Sequence, residues 1–109
     1  MIVGIDLGTT NSAVAVWRDG QAQLIPNSLG HLLTPSAVSI DEKGGLLVGL
    51  TARERQPTHP ENTATAFKRL MGTKRALKLD KQSYAPEELS ALVLASLKRD
   101  AEAFLGAAV

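Results

Sequence analysis

Cysteine is missing from all 109 residues. That excludes a disulfide framework and a thiolate metal site. It suits a reducing compartment, and a cytoplasmic location is the expectation. An excess of either charge is missing too: 12 Lys and Arg stand against 11 Asp and Glu, a net charge of +1. Such a balance gives no electrostatic handle for nucleic acid or for an anionic membrane, so neither is expected as a partner. No stretch reaches the roughly 20 apolar residues that cross a bilayer. Met1 leads straight into Ile2 and Val3, without the basic segment and apolar run of a secretory signal. There is no internal repeat, low-complexity tract or interdomain linker. What remains is a chain with 44% hydrophobic residues, enough to bury a core as one domain or as part of a larger one.

The first third reads as strands. "MIVGID" is an apolar run bounded by a turn, "SAVAVW" (Ser12 to Trp17) is rich in β-branched and small residues, and "AQLIPN" returns as a third strand. The joints fall at Gly8–Asn11 and at Asp19-Gly20, the latter a strong two-residue hairpin signal. A second hairpin is expected from "SAVSI" (Ser36 to Ile40) through "DEKGG" to "LLVG" (Leu46 to Gly49). Asp41, Glu42 and Lys43 read as its solvated turn. Thr34-Pro35 favours extended backbone just before it.

The remainder reads as helical. "TARERQ" (Thr51 to Gln56) predicts a short helix stopped by Pro57, and "NTATAFKRLM" a second one, capped by Asn62 or Thr63 and ended by Gly72. "TKRALKLDKQSY" shows no period and reads as loop. "APEELSALVLASLKRDAEAFLG" predicts a long helix, with Pro86 in its first turn, Glu87 and Glu88 at its positive end and Gly106 as its stop. Leu89, Leu92, Val93, Leu97, Ala101, Phe104 and Leu105 recur at helical spacing and form one apolar, core-packing face. Trp17 reads as core or edge packing. His31 and His59 lack metal-like partners and read as loop residues.

The stretch "GIDLGTTNS" (Gly4 to Ser12) carries chemistry. Asp6 sits at a strand end, where its carboxylate points to a cleft. Gly8 lets the turn take unusual torsions and lets a ligand approach. Thr9, Thr10 and Asn11 add hydroxyl and amide groups to successive backbone donors, a concave row that suits phosphate. A carboxylate beside phosphate needs a cation between them, and a carboxylate with phosphate oxygens and waters is how Mg²⁺ is held. A Walker loop is excluded, because Gly-Lys-Ser/Thr is absent and the turn joins two strands.

This block resembles the first phosphate motif of the actin-like ATPase superfamily, in the form used by DnaK-type chaperones of the heat shock protein 70 family. "TPSAVSI" (Thr34 to Ile40), "LVGLTARERQPTHPENTATAFKRLMG" (Leu47 to Gly72) and the long helix resemble further blocks of that family, in the same order and over nearly the whole chain. "AVWRDG", "LIPN", "HPENTA" and the short run after Gly72 look most like the HscC subgroup.

The resemblance implies roles residue by residue. Asp6 would hold Mg²⁺ through water. Gly8, Thr9, Thr10 and Asn11 would grip the β- and γ-phosphates of ATP or ADP. Lys68, in the Lys-Arg-Leu signature, would be the catalytic lysine beside the γ-phosphate; without the resemblance it reads as a solvated helix lysine, and Arg69 as half of a structural ion pair. The implied fold is α/β: a partial actin-like, ribonuclease-H-like first lobe. It begins with three antiparallel strands, carries a small α+β subdomain and ends on the long helix. Residues 1–34 and 82–109 would form the sheet-and-helix core and 35–81 the appended subdomain. The implied function is that of an ATP-dependent chaperone, an ATPase controlling the grip on unfolded client peptides, with co-chaperones as partners.

The family's second phosphate motif, adenosine motif, second lobe and peptide-binding domain have no counterpart here. The chain is therefore expected to be an N-terminal portion that hydrolyses ATP poorly alone and self-associates through an unpaired sheet edge. A carbohydrate kinase or a filament-forming protein of the same superfamily is the alternative. "KRLMG" and the Thr-Pro-Ser strand argue against the kinase, and the differing subdomain argues against the filament former.

Overall fold

Along Asn11–Arg18 (β2) the side chains alternate: Ser12, Val14 and Val16 are buried while Ala13, Ala15 and Trp17 face the other way. That one strand organises the first sheet in the computed structural model, which describes residues 2–109. Val3–Leu7 (β1) pairs with it antiparallel, from Val3 opposite Val16 to Leu7 opposite Ser12. Gln21–Leu24 (β3) pairs along its other side. The turn between β2 and β3 has Asp19 at φ 51° and Gly20 at φ 77°, the left-handed pair that lets a two-residue hairpin follow the twist of its strands.

The chain then comes back to the beginning of β2. Asn27 shapes this return: its Oδ1 accepts the amides of Leu29 and His31, both at 3.0 Å, and its Nδ2 donates to Thr34 Oγ1 at 3.0 Å. Thr34–Pro35 (β4) pairs with Asn11 and Ser12. The β1–β2 loop is thereby brought against the start of the second sheet. In that sheet Ala37–Ile40 (β5) is central and fully buried, flanked by Leu46–Val48 (β6) and Thr63–Thr65 (β7). Leu50–Arg53 (α1) is a single helical turn after β6, shorter than the Thr51–Gln56 helix expected.

Two expectations fail. The helix from Asn62 or Thr63 to Gly72 does not form. A 3₁₀ turn at Pro60–Asn62 leads into β7, and a second one, Phe67–Leu70, follows the left-handed residue Ala66 (φ 54°). Pairing with β5 overrides local preference, and β-branched threonines suit it. Thr63 Oγ1 donates to the His59 carbonyl at 2.8 Å and lies 2.9 Å from the hydroxyl of Ser39, which donates to the Asn62 carbonyl at 2.9 Å. Asn62 caps nothing: its Oδ1 accepts the Asp80 amide at 3.2 Å. Nor is "TKRALKLDKQSY" all loop. Leu77–Leu79 (β8) and Gln82–Tyr84 (β9) form a hairpin whose turn, Asp80 (φ 49°) and Lys81 (φ 70°), is left-handed without any glycine.

Asp41 is more than a solvated turn residue. Its Oδ1 accepts the amides of Lys43 at 2.9 Å and Gly45 at 2.7 Å, which holds the β5–β6 turn.

The long helix forms as expected, Pro86–Leu105 (α2). The Glu88 carboxylate accepts the Ala85 amide at 2.9 Å at its start, and the left-handed Gly106 closes its end. Leu89, Val93, Leu97 and Ala101 are buried, and Leu92 and Leu105 pack against them in part. Phe104 is 42% exposed and leaves the apolar face assigned to it. The core joins α2 to Val14 and Val16 of the first sheet, Val38 and Ile40 of the second, and Phe67 between them. Each fully buried Leu or Val contributes about 1.5–3 kcal/mol over its exposed state. All strand pairings are antiparallel, so the described residues form an α+β arrangement.

The opposite face of the first sheet is bare. Ile2, Gly4, Ala15, Trp17 and Ala22 form an apolar depression there, with Trp17 56% exposed where core or edge packing was expected. β1 pairs only with β2 among the described strands, and Ile5 on it is 40% exposed.

Candidate functional site

Asp6 lies opposite Ala13 near the end of β1, exposed, and its carboxylate has no ion pair or hydrogen bond among the described residues. The loop that follows closes tightly. A Cβ on Gly8 would collide with the main-chain oxygen of Asn11, so only glycine fits. Neither the amide nor the hydroxyl of Thr9 or Thr10 has a protein partner among the described residues. Four donors therefore stand unused in two consecutive residues. An anion satisfies such a group of donors.

Two of the loop's carbonyls are engaged elsewhere. The Ser36 amide donates to the Thr10 carbonyl at 2.9 Å, and the Ser36 hydroxyl donates to the Gly8 carbonyl at 2.8 Å. Ser12 Oγ lies 2.8 Å from Ser36 Oγ. Both serines are buried, at 1% and 3% exposure. The Gly8 and Thr10 acceptors are thus occupied, while the Thr9 and Thr10 amides are left without a partner among the described residues.

Thr9 and Thr10 line a cleft with Pro35, Ser36 and Ala37 on one side and Arg53, Gln56, Thr65 and Ala66 on the other. Asn11 lines an adjoining depression with Pro35, Leu50 and Arg53. Asp6 and Lys68 line neither. Lys68 is exposed in the 3₁₀ turn, two residues beyond Ala66, and is unpaired among the described residues. Arg69 is exposed as well and lacks the ion pair expected of it among the described residues.

Arg53 escaped the sequence reading. It is exposed, it is the one charged side chain lining the cleft with Thr9 and Thr10, and it has no side-chain partner among the described residues. Arg55, two residues on, shows the contrast. Its guanidinium donates to Ser39 Oγ at 2.9 Å and the Ile40 carbonyl at 3.2 Å, and pairs with Glu42 at 3.4 Å. One arginine braces the second sheet; the other leaves its charge to the cleft, where it favours an anion. "TARER" alone could not distinguish them.

Asp41 and Glu42 both titrate below the ordinary carboxylate range. The amides of Gly45 and Lys43 stabilise the Asp41 anion. For Glu42 the cause is first its own amide and then the Arg55 charge. Both shifts belong to the β5–β6 turn and leave the cleft untouched. Partial burial of Asp100, itself on α2, pushes its carboxyl up.

The donor set discriminates between metals. No group of three or more His, Asp or Glu could cage an ion among the described residues. One exposed carboxylate two residues before a loop of unpartnered donors suits Mg²⁺, which keeps most of its waters, better than a metal that needs a protein cage. A dedicated all-protein site does not fit.

The family model described as Hsp70 protein matches residues 2–82, more than half of the chain. The chain belongs to the Hsp70 family. Its matched span holds Asp6, the Gly8–Asn11 loop, Ser36, Arg53 and Lys68. Hsp70 proteins are chaperone ATPases that bind ATP or ADP with Mg²⁺ and engage client peptides and co-chaperones. In this Hsp70 chain α2 lies beyond the matched residues, yet it supplies one whole side of the core that carries the loop.

Proposed function

We propose that the Gly8–Asn11 loop and Asp6 form the phosphate-and-magnesium site of an ATP-dependent chaperone, whose ATP hydrolysis controls the grip on unfolded peptides. The observation that carries this reading is the set of unused donors at Thr9 and Thr10, closed over by Gly8 and set beside an unpaired carboxylate. Asp6 would be repelled by bound phosphate unless a cation lies between, and Mg²⁺ when bound supplies that neutralisation. Asn11 adds a side-chain amide at the adjoining depression. Lys68 holds a compact positive charge for the γ-phosphate and the attacking water, the positioning and charge stabilisation on which phosphoryl transfer depends.

The finer readings rest on the same residues. The short run between Gly72 and α2 supports an HscC-like branch. Residues 1–34 with 82–109 act as the sheet-and-helix core and 35–81 as the appended subdomain. The working compartment is the cytoplasm. The 109-residue chain alone hydrolyses ATP poorly and self-associates along the open side of β1; a strictly monomeric chain at high concentration by light scattering refutes that pairing.

The decisive experiment uses the full-length protein. Asp6→Asn abolishes the Mg²⁺ dependence of ATP binding measured by calorimetry. Lys68→Ala lowers hydrolysis at least tenfold and leaves ATP affinity within about twofold, the pattern of a group that acts mainly in the transition state. Stimulation by unfolded peptide supports the chaperone, and turnover that requires a sugar overturns it. Wild-type Mg²⁺-dependent ATP binding in Asp6→Asn refutes the site.

A further inference from the structure

We propose that Ser36 is the positioning residue of the phosphate loop, and that Ser12 is its proton-donating support; the inference rests on the reading of Gly8–Asn11 as a phosphate site. Proton inventory orders the contacts. A serine hydroxyl carries one proton. The Ser36 proton is committed to the Gly8 carbonyl, which can only accept, so the 2.8 Å contact between the two hydroxyls has Ser12 as donor. A directed chain results: Ser12 hydroxyl to Ser36 hydroxyl to Gly8 carbonyl. The Ser36 amide adds the bond to the Thr10 carbonyl.

The consequence is electrostatic. A loop carbonyl turned toward phosphate repels it. With the Gly8 and Thr10 oxygens held by one buried residue, the peptide planes that carry the Thr9 and Asn11 amides are fixed, and the plane of the Thr10 amide is bracketed between them. Preorganised donors need no rearrangement when charge arrives. Each bond in the directed chain polarises the next, so loss of Ser12 weakens the Ser36–Gly8 contact, and loss of the Ser36 hydroxyl removes both. Because Ser36 also begins the chain segment entering β5, the loop is referenced to the most deeply buried strand of the second sheet. Ser36 touches no phosphate in this scheme; it acts through Gly8 and Thr10.

The test compares ATP with adenosine on the full-length protein. Ser36→Ala weakens Mg²⁺–ATP about tenfold, the equivalent of about 1.4 kcal/mol, and leaves adenosine affinity unchanged, because only phosphates meet the loop. Ser36→Thr, which keeps the hydroxyl, restores ATP affinity to within about threefold. Equal loss for ATP and adenosine, or no loss for ATP, overturns the proposal. If Ser36→Ala does not fold, Ser12→Ala carries the test: it spares the Ser36–Gly8 bond and removes its donor, so a smaller loss confined to ATP is expected, and its absence overturns the proposal. Asp6→Asn run in parallel separates the two ideas. If Asp6→Asn weakens Mg²⁺–ATP while Ser36→Ala does not, the positioning role fails and the site stands; if neither does, the site itself fails.

Discussion

Adding one methyl group at Gly8 probes the loop at its tightest point. The Cβ of Gly8→Ala would fall well inside the contact limit of the Asn11 main-chain oxygen, an atom anchored at the first residue of β2. Gly8 has no positive φ, so alanine's backbone preferences are not at issue and the penalty is one of space alone. Overpacking against a fixed backbone costs about 1–3 kcal/mol. The loop escapes by opening, which frees the Gly8 carbonyl from Ser36. Binding ATP then has to close it against that strain, so the cost appears in the dissociation constant as roughly a five- to hundredfold loss. Gly20→Ala is the matched control. It has φ 77° and open space around it, so its cost is left-handed backbone strain, about 1 kcal/mol of stability, with no change in ATP affinity. Calorimetric titration with Mg²⁺–ATP and a urea melt of each full-length variant separate the two. Gly8→Ala binding ATP as tightly as the unaltered protein would refute the steric argument.

Other residues give independent checks. Phe67, 1% exposed at the junction of the sheets and α2, is expected to cost about 3–5 kcal/mol on truncation to alanine, read from the shift of a urea transition. Lys81→Gly relieves a left-handed residue in the β8–β9 turn and is expected to stabilise by about 1 kcal/mol in the same assay. Asp41 titrates below its usual value of 3.8 because two amides hold its anion. Its stabilising effect is thus complete above about pH 3.8 and is lost as pH falls through the lower folded value. Hydrogen exchange at the Gly45 amide should accelerate there, and in Asp41→Asn that pH dependence should vanish.

The two hairpin turns show what the sequence could reveal. Asp19-Gly20 and Asp80-Lys81 adopt the same handedness, but only the first contains the residue for which that conformation is cheap. Thr63–Thr65 looked helical because its neighbours in sequence suit a helix. Its partner β5 lies some 24 residues earlier, and no local window contains it. The loop proposed to take phosphate was legible as a tight polar turn because its residues sit in nine consecutive positions, Gly4 to Ser12. Its support was not: Ser36 meets Gly8 across 28 positions. Arg53 and Arg55 differ only in what the tertiary fold brings to each. The α2 stripe was right except at Phe104, which stays 42% exposed although Leu105 beside it packs against the core.

The chain contains a single tryptophan, and it stands on the uncovered side of the first sheet. Its indole ring is therefore an intrinsic optical probe of that side. In the bare state it emits as a water-exposed fluorophore that soluble quenchers reach. Anything settling over Ala15 and Ala22 would shift its emission to the blue and shield it from those quenchers, with no label needed.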